Sequence, residues 1–352
     1  MRSLYDLEVD QWAELLDDEP TYRREQIWDG IHAQHRDIED LTSLPKALRE
    51  RLAAETPRGL ELVTESVSDG GDTIKFLWEL RDGSRIETVL MHYRERSTVC
   101  VSSQAGCAMA CSFCATGQAG FTRHLSTGEI VEQVVRAQQR ADLDSTSGQP
   151  RRVSNIVYMG MGEPLANFDS TLAAAHRIRD HLGIGARHQT ISTVGIIPGI
   201  KRLAAEPLQV GLAVSLHAAN NDLRNSLAPI NKRYPLEDLM DACAEYIDAT
   251  HRRLSFEWAM IEGVNDSQRD ADELAHLARP LGAHVNLIPL NRTPGYPTSG
   301  SPASVIKDFV RRLEDQGVNV TVRDTRGSDI DAACGQLKTA SVEMPTRRRV
   351  RD

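Results

Sequence analysis

From about residue 97 onward, the sequence alternates between short apolar, β-branched runs and longer stretches with helical character. Near-continuous apolar runs are typical of strands buried on both faces, and strands alternating with helices indicate a parallel sheet with right-handed crossovers. About six such units favour an α/β fold with an incomplete (β/α) barrel, although periodicity alone leaves a doubly wound open sheet as the competing topology. The predicted strands are STVCVSS (97–103), VSNIVYM (153–159), HQTISTV (188–194), VGLAVSL (210–216), LSFEWAM (254–260), HVNLIPL (284–290) and VNVTVRD (318–324).

Local signals mark where several helices begin. Ser126 followed by Glu129 is a capping-box pattern ahead of IVEQVVRAQQR, since each side chain can bond the other residue's backbone N–H. Pro235 and Pro302 stand at plausible first helical positions, where proline's missing N–H costs nothing. These signals support the alternating pattern.

Residues 1–92 follow a different pattern. VDQWAELLD and LPKALRERLAAE predict short helices, and the stretch after them predicts β-strands joined by turns at Gly70–Gly71 and Gly83. We therefore predict three regions: a helical accessory module with a small β layer (1–92), a core barrel (93–330) and a C-terminal segment (331–352) ending in the basic tail PTRRRVRD.

The composition indicates an ordinary globular protein. Of 352 residues, 40% are hydrophobic and 26% are charged. The N-terminus has no basic region leading into an apolar run, and no segment approaches the ~18 apolar residues of a membrane span, so we predict a cytoplasmic protein without membrane contact. The net charge of −9 argues weakly against nucleic-acid binding. Local basic groups, such as the tail and the pair Arg323 and Arg326, still allow it.

Three of the six cysteines lie within one short segment. The segment GCAMACSFCATG places Cys107, Cys111 and Cys114 in a C-x-x-x-C-x-x-C pattern. Three thiolates on one loop can each bind one iron of a cubane cluster and leave the fourth iron open to a small molecule. The alternatives are three buried thiols, or a zinc site with His124 as the fourth ligand. Phe113 and the small residues of the loop favour the cluster.

The cysteine segment, together with five further stretches, resembles a known family. The cysteine triplet with its preceding aromatic residue is the signature of the radical S-adenosylmethionine (SAM) superfamily. CVSSQAGCAMACSFCATGQAGF, VYMGMGEPLANF, ISTVGIIPGI, AVSLHAANNDLR, VNLIPLNRTPG and TVRDTRGSDIDAACGQL together are similar to the RlmN family of RNA adenine methyltransferases. The resemblance is strong over about residues 87–338 and looser before them. It implies a partial (β/α)6 barrel of the radical-SAM type with a helical N-terminal accessory domain, a 4Fe–4S cluster bound by the three cysteines, and SAM.

The resemblance also implies which residues contact SAM. Gly162 and Glu163, in GMGEP, correspond to positions that meet the methionyl amino group. Taken alone, this segment is more often just a turn, and the other positions are more often ordinary polar groups at strand ends. All of them nevertheless lie at or just after the ends of predicted strands, at the barrel end where active sites lie. The positions implied to contact the ribose, carboxylate or adenine of SAM are Ser192, Ser215, Leu216, His217 and Asn291.

Two distant cysteines and one glutamate acquire roles from the same resemblance. Without it, Cys334 and Cys100 are most simply buried thiols, and Glu87 is an exposed carboxylate on a β layer. The resemblance implies that Cys334 carries a methyl group, that Cys100 resolves the intermediate through a transient disulfide, and that Glu87 accepts a proton. Cys243 lies on the apolar face of a predicted helix, and we expect it in the core.

The implied reaction methylates carbon 2 of an adenine in 23S rRNA and in tRNA, with two SAM molecules per turnover and a 5′-deoxyadenosyl radical. The implied partners are these RNAs and an electron donor such as flavodoxin or ferredoxin, and we expect a monomer. Two alternatives stay open from the sequence. One is a Cfr-type methyltransferase acting on carbon 8 of adenine with the same cysteines, and the other is a non-catalytic, zinc-stabilised RNA-binding protein.

Overall fold

The computed structural model describes residues 3–145, 151–293 and 295–337. The N-terminal region contains three helices and then three strands. The helices predicted from VDQWAELLD and LPKALRERLAAE are confirmed, whereas the helix between them was not predicted, because its sequence YRREQIWDGIH is mostly polar and buries only a few residues. The elements are α1 (Val9–Leu15), α2 (Tyr22–His32), α3 (Lys46–Glu55), β1 (Leu60–Ser68), β2 (Thr73–Leu80) and β3 (Arg85–His92).

All seven strands predicted after residue 97 are present, each within a residue or a few of its expected bounds. Two further short strands form a separate antiparallel hairpin around the cysteine segment. The elements are β4 (Ser97–Cys100), β5 (Gln104–Gly106), α4 (Ala115–Ala119), β6 (Phe121–His124), α5 (Thr127–Asp144), β7 (Val153–Tyr158), α6 (Phe168–His181), β8 (Gln189–Thr193), α7 (Ile197–Ala205), β9 (Gly211–Ser215), α8 (Asn221–Leu227), α9 (Leu236–Thr250), β10 (Leu254–Met260), α10 (Gln268–Ala278), β11 (His284–Pro289), α11 (Ala303–Asp315) and β12 (Val320–Val322).

The strand order decides between the two predicted topologies. The parallel strands lie side by side in the order β4-β7-β8-β9-β10-β11-β12. Each strand is therefore added to the same side of the preceding one, with a helix on each connection. In a doubly wound sheet, the order in which strands are added would reverse at a switch point. The sheet is therefore a partial barrel of six β/α units that ends with a seventh strand.

The small β layer is part of the same sheet. β1, β2 and β3 pair antiparallel in chain order, and β3 pairs antiparallel with β4. The barrel sheet therefore continues without interruption into the N-terminal region.

Helix α5 connects the N-terminal region to the barrel. The predicted capping box is present: Glu129 N donates to Ser126 Oγ at 3.1 Å, and Ser126 N donates to Glu129 Oε2 at 2.9 Å. On the buried face of α5, Glu132 accepts from Gly59 N at 2.8 Å and pairs with Arg136 at 2.8 Å. Because both partners are buried and paired, loss of either would leave an uncompensated charge. The two prolines lie one position earlier than predicted, as the residues that precede α9 and α11.

One hydrophobic cluster extends from the N-terminal helices through the barrel. It includes Tyr5, Trp12 and Ile27 at one end and Ile156 and Trp258 in the barrel. Cys243 lies fully buried in this cluster, as predicted. Within the described ranges, no helix has the length and apolar character to span a membrane.

Candidate active site

A cavity of about 950 Å³ lies at the carboxyl ends of the barrel strands. This is the end at which β/α barrels place their active sites. Most of the predicted site residues line it, although they come from distant parts of the chain. They are Cys107, Cys111, Cys114, Gly162, Glu163, Ser192, Ser215, His217, Asn291 and Cys334.

The cysteine loop is held between the hairpin strands β5 and β6. Cys107 N donates to Gly120 O at 2.7 Å, which closes the base of the loop, and Cys114 N donates to Cys111 O at 3.2 Å, which forms a turn within it. Ser112 N donates to Leu227 O at the end of α8, at 3.1 Å. These bonds fix the loop at the mouth of the barrel, with all three cysteines lining the cavity.

The donor set of this loop fits an iron–sulfur cluster. Burial raises the pKa of Cys107 to about 12 and raises that of Cys111 as well, and neighbouring cysteine charges add to the effect. Thiols of this kind lose their protons when a strongly cationic centre binds them. In a cubane, each thiolate binds a different iron, so the three sulfurs need not converge on one ion.

The same geometry does not support the zinc alternative. His124 is exposed, and its Nδ1 lies 3.0 Å from Gln104 Nε2. Over the described ranges, no three His, Cys, Asp or Glu side chains form a group that could hold one metal ion. A structural zinc site needs four ligands around a single ion.

The glycines of GMGEP allow close packing against the segment that leads into the cysteine loop. A Cβ atom on Gly160 would lie 2.7 Å from Val101 O. Gly162 has a φ of +104°, and a Cβ there would lie 2.6 Å from the side chain of Gln104. Any larger residue would therefore displace the loop from the cavity wall.

Glu163 is a buried carboxylate held by backbone donors. Its Oε1 accepts from Leu165 N at 3.0 Å and its Oε2 accepts from Val194 N at 2.8 Å. Burial raises its pKa to about 7, although these N–H groups act in the opposite direction. A cationic group in the cavity would favour the charged carboxylate, which fits the predicted contact with an amino group.

His217 is held as a neutral ring of defined tautomer. Its backbone has a positive φ of 59°, and its Nδ1 accepts from Ala259 N at 3.0 Å, which leaves the proton on Nε2. Burial lowers its pKa to about 3. The ring packs edge-on against Phe113, with 4.7 Å between centroids, and so connects the end of β9 to the cysteine loop.

Ser192 and Ser215 end neighbouring strands with their Oγ atoms 3.4 Å apart, and both line the cavity. Leu216 differs from the other predicted contacts, because its side chain is buried in the core and it is absent from the cavity lining. Its N–H donates to Glu257 O at 3.0 Å. The role of Leu216 stays a prediction.

Cys100 and Cys334 line a second cavity of about 510 Å³. It adjoins the first, since both are lined by Met159, Asn291, Arg323 and Cys334. The structure therefore brings together two cysteines separated by most of the chain. Burial raises the pKa of the Cys100 thiol to about 12.

The segment that carries Cys334 is fastened to the helix that follows the cysteine loop. Ala115 N donates to Gly335 O at 2.8 Å, and the buried Thr116 Oγ1 donates to Leu337 O at 2.6 Å. Asn291 Nδ2 donates to the carbonyl of Cys334 at 3.2 Å. These bonds position Cys334 at the boundary of both cavities.

Glu87 is not exposed, as a carboxylate on a β layer would usually be. It is buried, and its Oε1 lies 3.0 Å from Lys75 Nζ on the neighbouring strand β2. Residues of β2 and β3 pair directly, so the two opposite charges can be buried together. Glu87 lines neither of the two cavities described above, and its role as proton acceptor stays a prediction.

Arg224 does not line the cavity, but it holds two strand ends that do, and the sequence indicated no role for it. Its side chain is fully buried. Its guanidinium donates to Leu216 O at 3.1 Å, to Val194 O at 2.6 Å and to Asn231 Oδ1 at 2.8 Å. One side chain thus fixes the ends of β8 and β9. The only signal was its place in the stretch AVSLHAANNDLR.

A partial parallel barrel with a three-cysteine loop at its mouth is the architecture of a radical-SAM enzyme, and the Radical SAM superfamily model matches residues 101–275. The chain is 51% identical to the "Probable dual-specificity RNA methyltransferase RlmN" of Salinispora tropica, over 92% of this chain and 88% of that protein. It is 53% identical to the protein of the same name from Thermobifida fusca, over 86% and 84%. The crystal structure of a radical SAM methyltransferase from Sphaerobacter thermophilus superposes with a TM-score of 0.92 at 49% identity, over 96% of this chain and 99% of that one.

The chain therefore belongs to the RlmN family of radical-SAM methyltransferases. A 4Fe–4S cluster and SAM are the cofactors of this superfamily. The fold class, the enzyme class and these cofactors, all expected from the sequence, are confirmed.

Proposed function

We propose that this chain methylates carbon 2 of an adenine in 23S rRNA and in tRNA, through a methyl group carried on Cys334. Methyl transfer to RNA by a radical-SAM enzyme follows from its family. The observation that carries the proposal is that Cys334 lines both the cavity of the three cluster cysteines and the cavity of Cys100. A residue that first accepts a methyl group from SAM and later forms a disulfide with a second thiol has to face both.

When bound, the cluster and SAM supply a methyl group and the means to abstract a hydrogen atom from it. The protein's own groups do the rest. Glu163, Ser192, Ser215, His217 and Asn291 would hold and orient SAM. Two molecules of SAM are consumed, one for methylation and one for hydrogen abstraction.

Cys334 would act as the methyl acceptor and then as the covalent link to the adenine. Its thiolate would attack the methyl carbon of SAM, so that S-adenosylhomocysteine leaves, and after hydrogen abstraction the resulting methylene carbon would bond to carbon 2 of adenine. The adduct would then lose the proton on carbon 2 to a base and one electron, for which the oxidised cluster held by Cys107, Cys111 and Cys114 would be the acceptor, and the aromatic ring would be restored. The Cys100 thiolate then attacks the Cys334 sulfur, so that a disulfide forms and the S–CH₂ bond breaks. The released carbon takes up a proton and becomes the methyl group.

A basic and aromatic group of residues beside the second cavity supports an RNA substrate. The guanidinium groups of Arg96 and Arg326 lie 4.9 and 4.4 Å from the centroid of the Tyr93 ring. Arg326 also donates to His92 O at 2.8 Å, and Tyr93, Arg323 and Arg326 line the cavity. In a chain of net charge −9, such a local cluster attracts phosphates, and an aromatic ring can stack on an unpaired base.

The remaining predictions belong to the same proposal. The division into 1–92, 93–330 and 331–352 assigns RNA contact to the helical module and to the C-terminal segment. The arginine tail of that segment lies outside the described residues. A flavodoxin or ferredoxin would supply the electron, and the enzyme would work as a monomer in the cytoplasm, where its RNA substrates are.

Mass spectrometry of RNA methylated by the reconstituted enzyme tests the proposal directly. We expect the methyl group on carbon 2 of adenine, whereas a methyl group on carbon 8 would assign the Cfr-type reaction. The Cys100→Ala variant should accumulate a covalent RNA–protein adduct, and Cys334→Ala should form none. Methylated adenine produced by Cys334→Ala would contradict the two-cysteine mechanism.

A further inference from the structure

We propose that Arg323 is the cation that stabilises the thiolates of Cys334 and Cys100 in turn, and that Glu257 holds it in place. The inference rests on the proposed function, because it presumes that both thiols react. Neither Arg323 nor Glu257 had a predicted role at the site.

Arg323 lies at the boundary between the two cavities. It follows β12 directly, and its N–H donates to Leu287 O at 2.8 Å, so its backbone continues the sheet. Its side chain lines both cavities, with Nη1 3.7 Å from Met159 Sδ. Among the residues that the structure describes, the lining of the first cavity contains no other arginine or lysine. The second cavity adds Arg326, so Arg323 is the one described cation that lines both.

Glu257 provides a fixed anion opposite the guanidinium. The carboxylate is buried on β10, where Oε1 accepts from Asn286 Nδ2 at 2.8 Å and from Ser255 Oγ at 3.1 Å. Its Oε2 is buried without a hydrogen-bond partner and lies 4.0 Å from Arg323 Nη1. Since Glu257 is held by two neighbouring side chains, its attraction fixes where the guanidinium lies.

The charges of Arg323 and Glu257 affect how readily Cys334 and Cys100 ionise. The pKa of Arg323 is raised, chiefly by the charge of Cys334 and further by those of Glu257 and Cys100, so the guanidinium stays charged. Burial raises the pKa of Cys100 to about 12, and Arg323 opposes that rise. Since the pKa of Cys100 is about 12 with Arg323 already opposing the effect of burial, the thiol would be ionised still more rarely without this cation.

Both half-reactions require the ionised thiol. In the first, Cys334 releases its proton to water, its sulfur bonds to the methyl carbon, and the methyl–sulfonium bond of SAM breaks to give S-adenosylhomocysteine. In the second, Cys100 releases its proton and attacks the Cys334 sulfur, as described above. The resulting disulfide returns to two thiols by exchange with a dithiol reductant. One guanidinium that lines both cavities would serve each anion as it forms.

The test is the rate at which Cys334 becomes methylated when the reconstituted enzyme is mixed with SAM in the absence of RNA. Mass spectrometry of the peptide that contains Cys334 gives this rate. We expect Arg323→Met to be slower by about tenfold or more, because a nearby opposite charge changes the ionised fraction of a group by that order. Arg323→Lys should recover most of the rate. Glu257→Ala should show a smaller loss than Arg323→Met, because it removes only the anchor.

Arg233→Met is the control, since Arg233 is exposed and lines neither cavity. It should methylate Cys334 at the wild-type rate. The circular dichroism spectrum of Arg323→Met should match that of the wild type, which separates loss of the charge from loss of the fold. Arg323→Met protein that already carries the methyl group should accumulate the covalent adduct when given RNA, because resolution by Cys100 is also slowed.

A wild-type rate of Cys334 methylation in Arg323→Met would overturn the inference, as would equal losses in the lysine and methionine variants. If the wild-type enzyme itself never methylates Cys334, the proposed function fails first. The two failures are therefore distinguishable in one series of measurements.

Discussion

Replacement of Arg224 by methionine should weaken both the barrel and the SAM site. The substitution keeps most of the side-chain volume but removes the donors to Val194 O, Leu216 O and Asn231 Oδ1. Leu216 O keeps its bond from Ala218 N at 2.8 Å, but Val194 O and Asn231 Oδ1 lose these donors, which costs about 1–3 kcal/mol for each buried acceptor left without a partner. The substitution also removes the unfavourable desolvation of a buried guanidinium. This desolvation is the reason why burial lowers the pKa of Arg224 to about 10. Since the relieved desolvation offsets part of this cost, we expect a net loss of about 1–3 kcal/mol in the free energy of unfolding.

Urea denaturation of the wild type and the variant measures this loss. The control is Arg233→Met, because Arg233 is exposed and its replacement should change stability by no more than about 0.5 kcal/mol. SAM affinity should fall by about tenfold or more in Arg224→Met, since small displacements of a binding group have large effects. If Arg224→Met unfolds at the control's urea concentration and binds SAM normally, Arg224 does not hold the ends of β8 and β9.

Three further predictions concern the cavity walls and the C-terminal segment. Because the pKa of Glu163 is raised to about 7, SAM affinity should fall as the pH drops below about 7, where the carboxylate takes up a proton. In the SAM-free protein, the same raised pKa means that Glu163 reduces stability progressively as the pH rises from about 4.5 to 7. Glu163→Gln should remove both pH dependences. Titration calorimetry measures the SAM affinity across this pH range, and urea denaturation measures the stability. If the variant showed the same pH dependence as the wild type, the assignment to Glu163 would be wrong. Gly162→Ala should lower the free energy of unfolding by about 1–3 kcal/mol, because of strain at the positive φ and the clash with Gln104. A melting temperature equal to that of the wild type would contradict this packing. Thr116→Val should release the bond to Leu337 O, cost about 1 kcal/mol and slow methylation of Cys334. Serine at this position, which keeps the hydroxyl, should behave as the wild type, and equal rates in the valine and serine variants would argue against this role of Thr116.

The strands and the position of the site were predictable because they depend on local patterns. Each parallel strand is buried on both faces, so it appears in the sequence as a continuous apolar run, such as VGLAVSL. Residues after those runs must meet at one end of a parallel barrel, which is why Ser192, Ser215 and His217 could be placed together. The cysteine spacing indicated the cluster for the same reason, since all three ligands lie on one loop.

The features that the sequence did not reveal depend on contacts between distant segments. Nothing local distinguishes Arg224 or Arg323 from a solvated arginine. Their roles arise from carbonyls and thiols that lie elsewhere in the chain. Glu87 was expected at the surface, and it is buried because Lys75 on the adjacent strand neutralises it. The continuity of β3 with β4 is likewise a matter of pairing, which an apolar pattern does not specify.

The fastening of the Cys334 segment to α4 has a consequence for incomplete chains. A protein that ended just after β12 would keep all three cluster cysteines and every predicted SAM contact. It would lack the methyl acceptor, together with the bonds from Ala115 and Thr116 that hold the acceptor segment. Such a chain would retain the residues for SAM cleavage but would lack the S-methyl group from which the radical abstracts hydrogen. Without the short segment at 331–337, the enzyme would therefore consume SAM without methylating RNA, and the radical would react with the protein's own side chains.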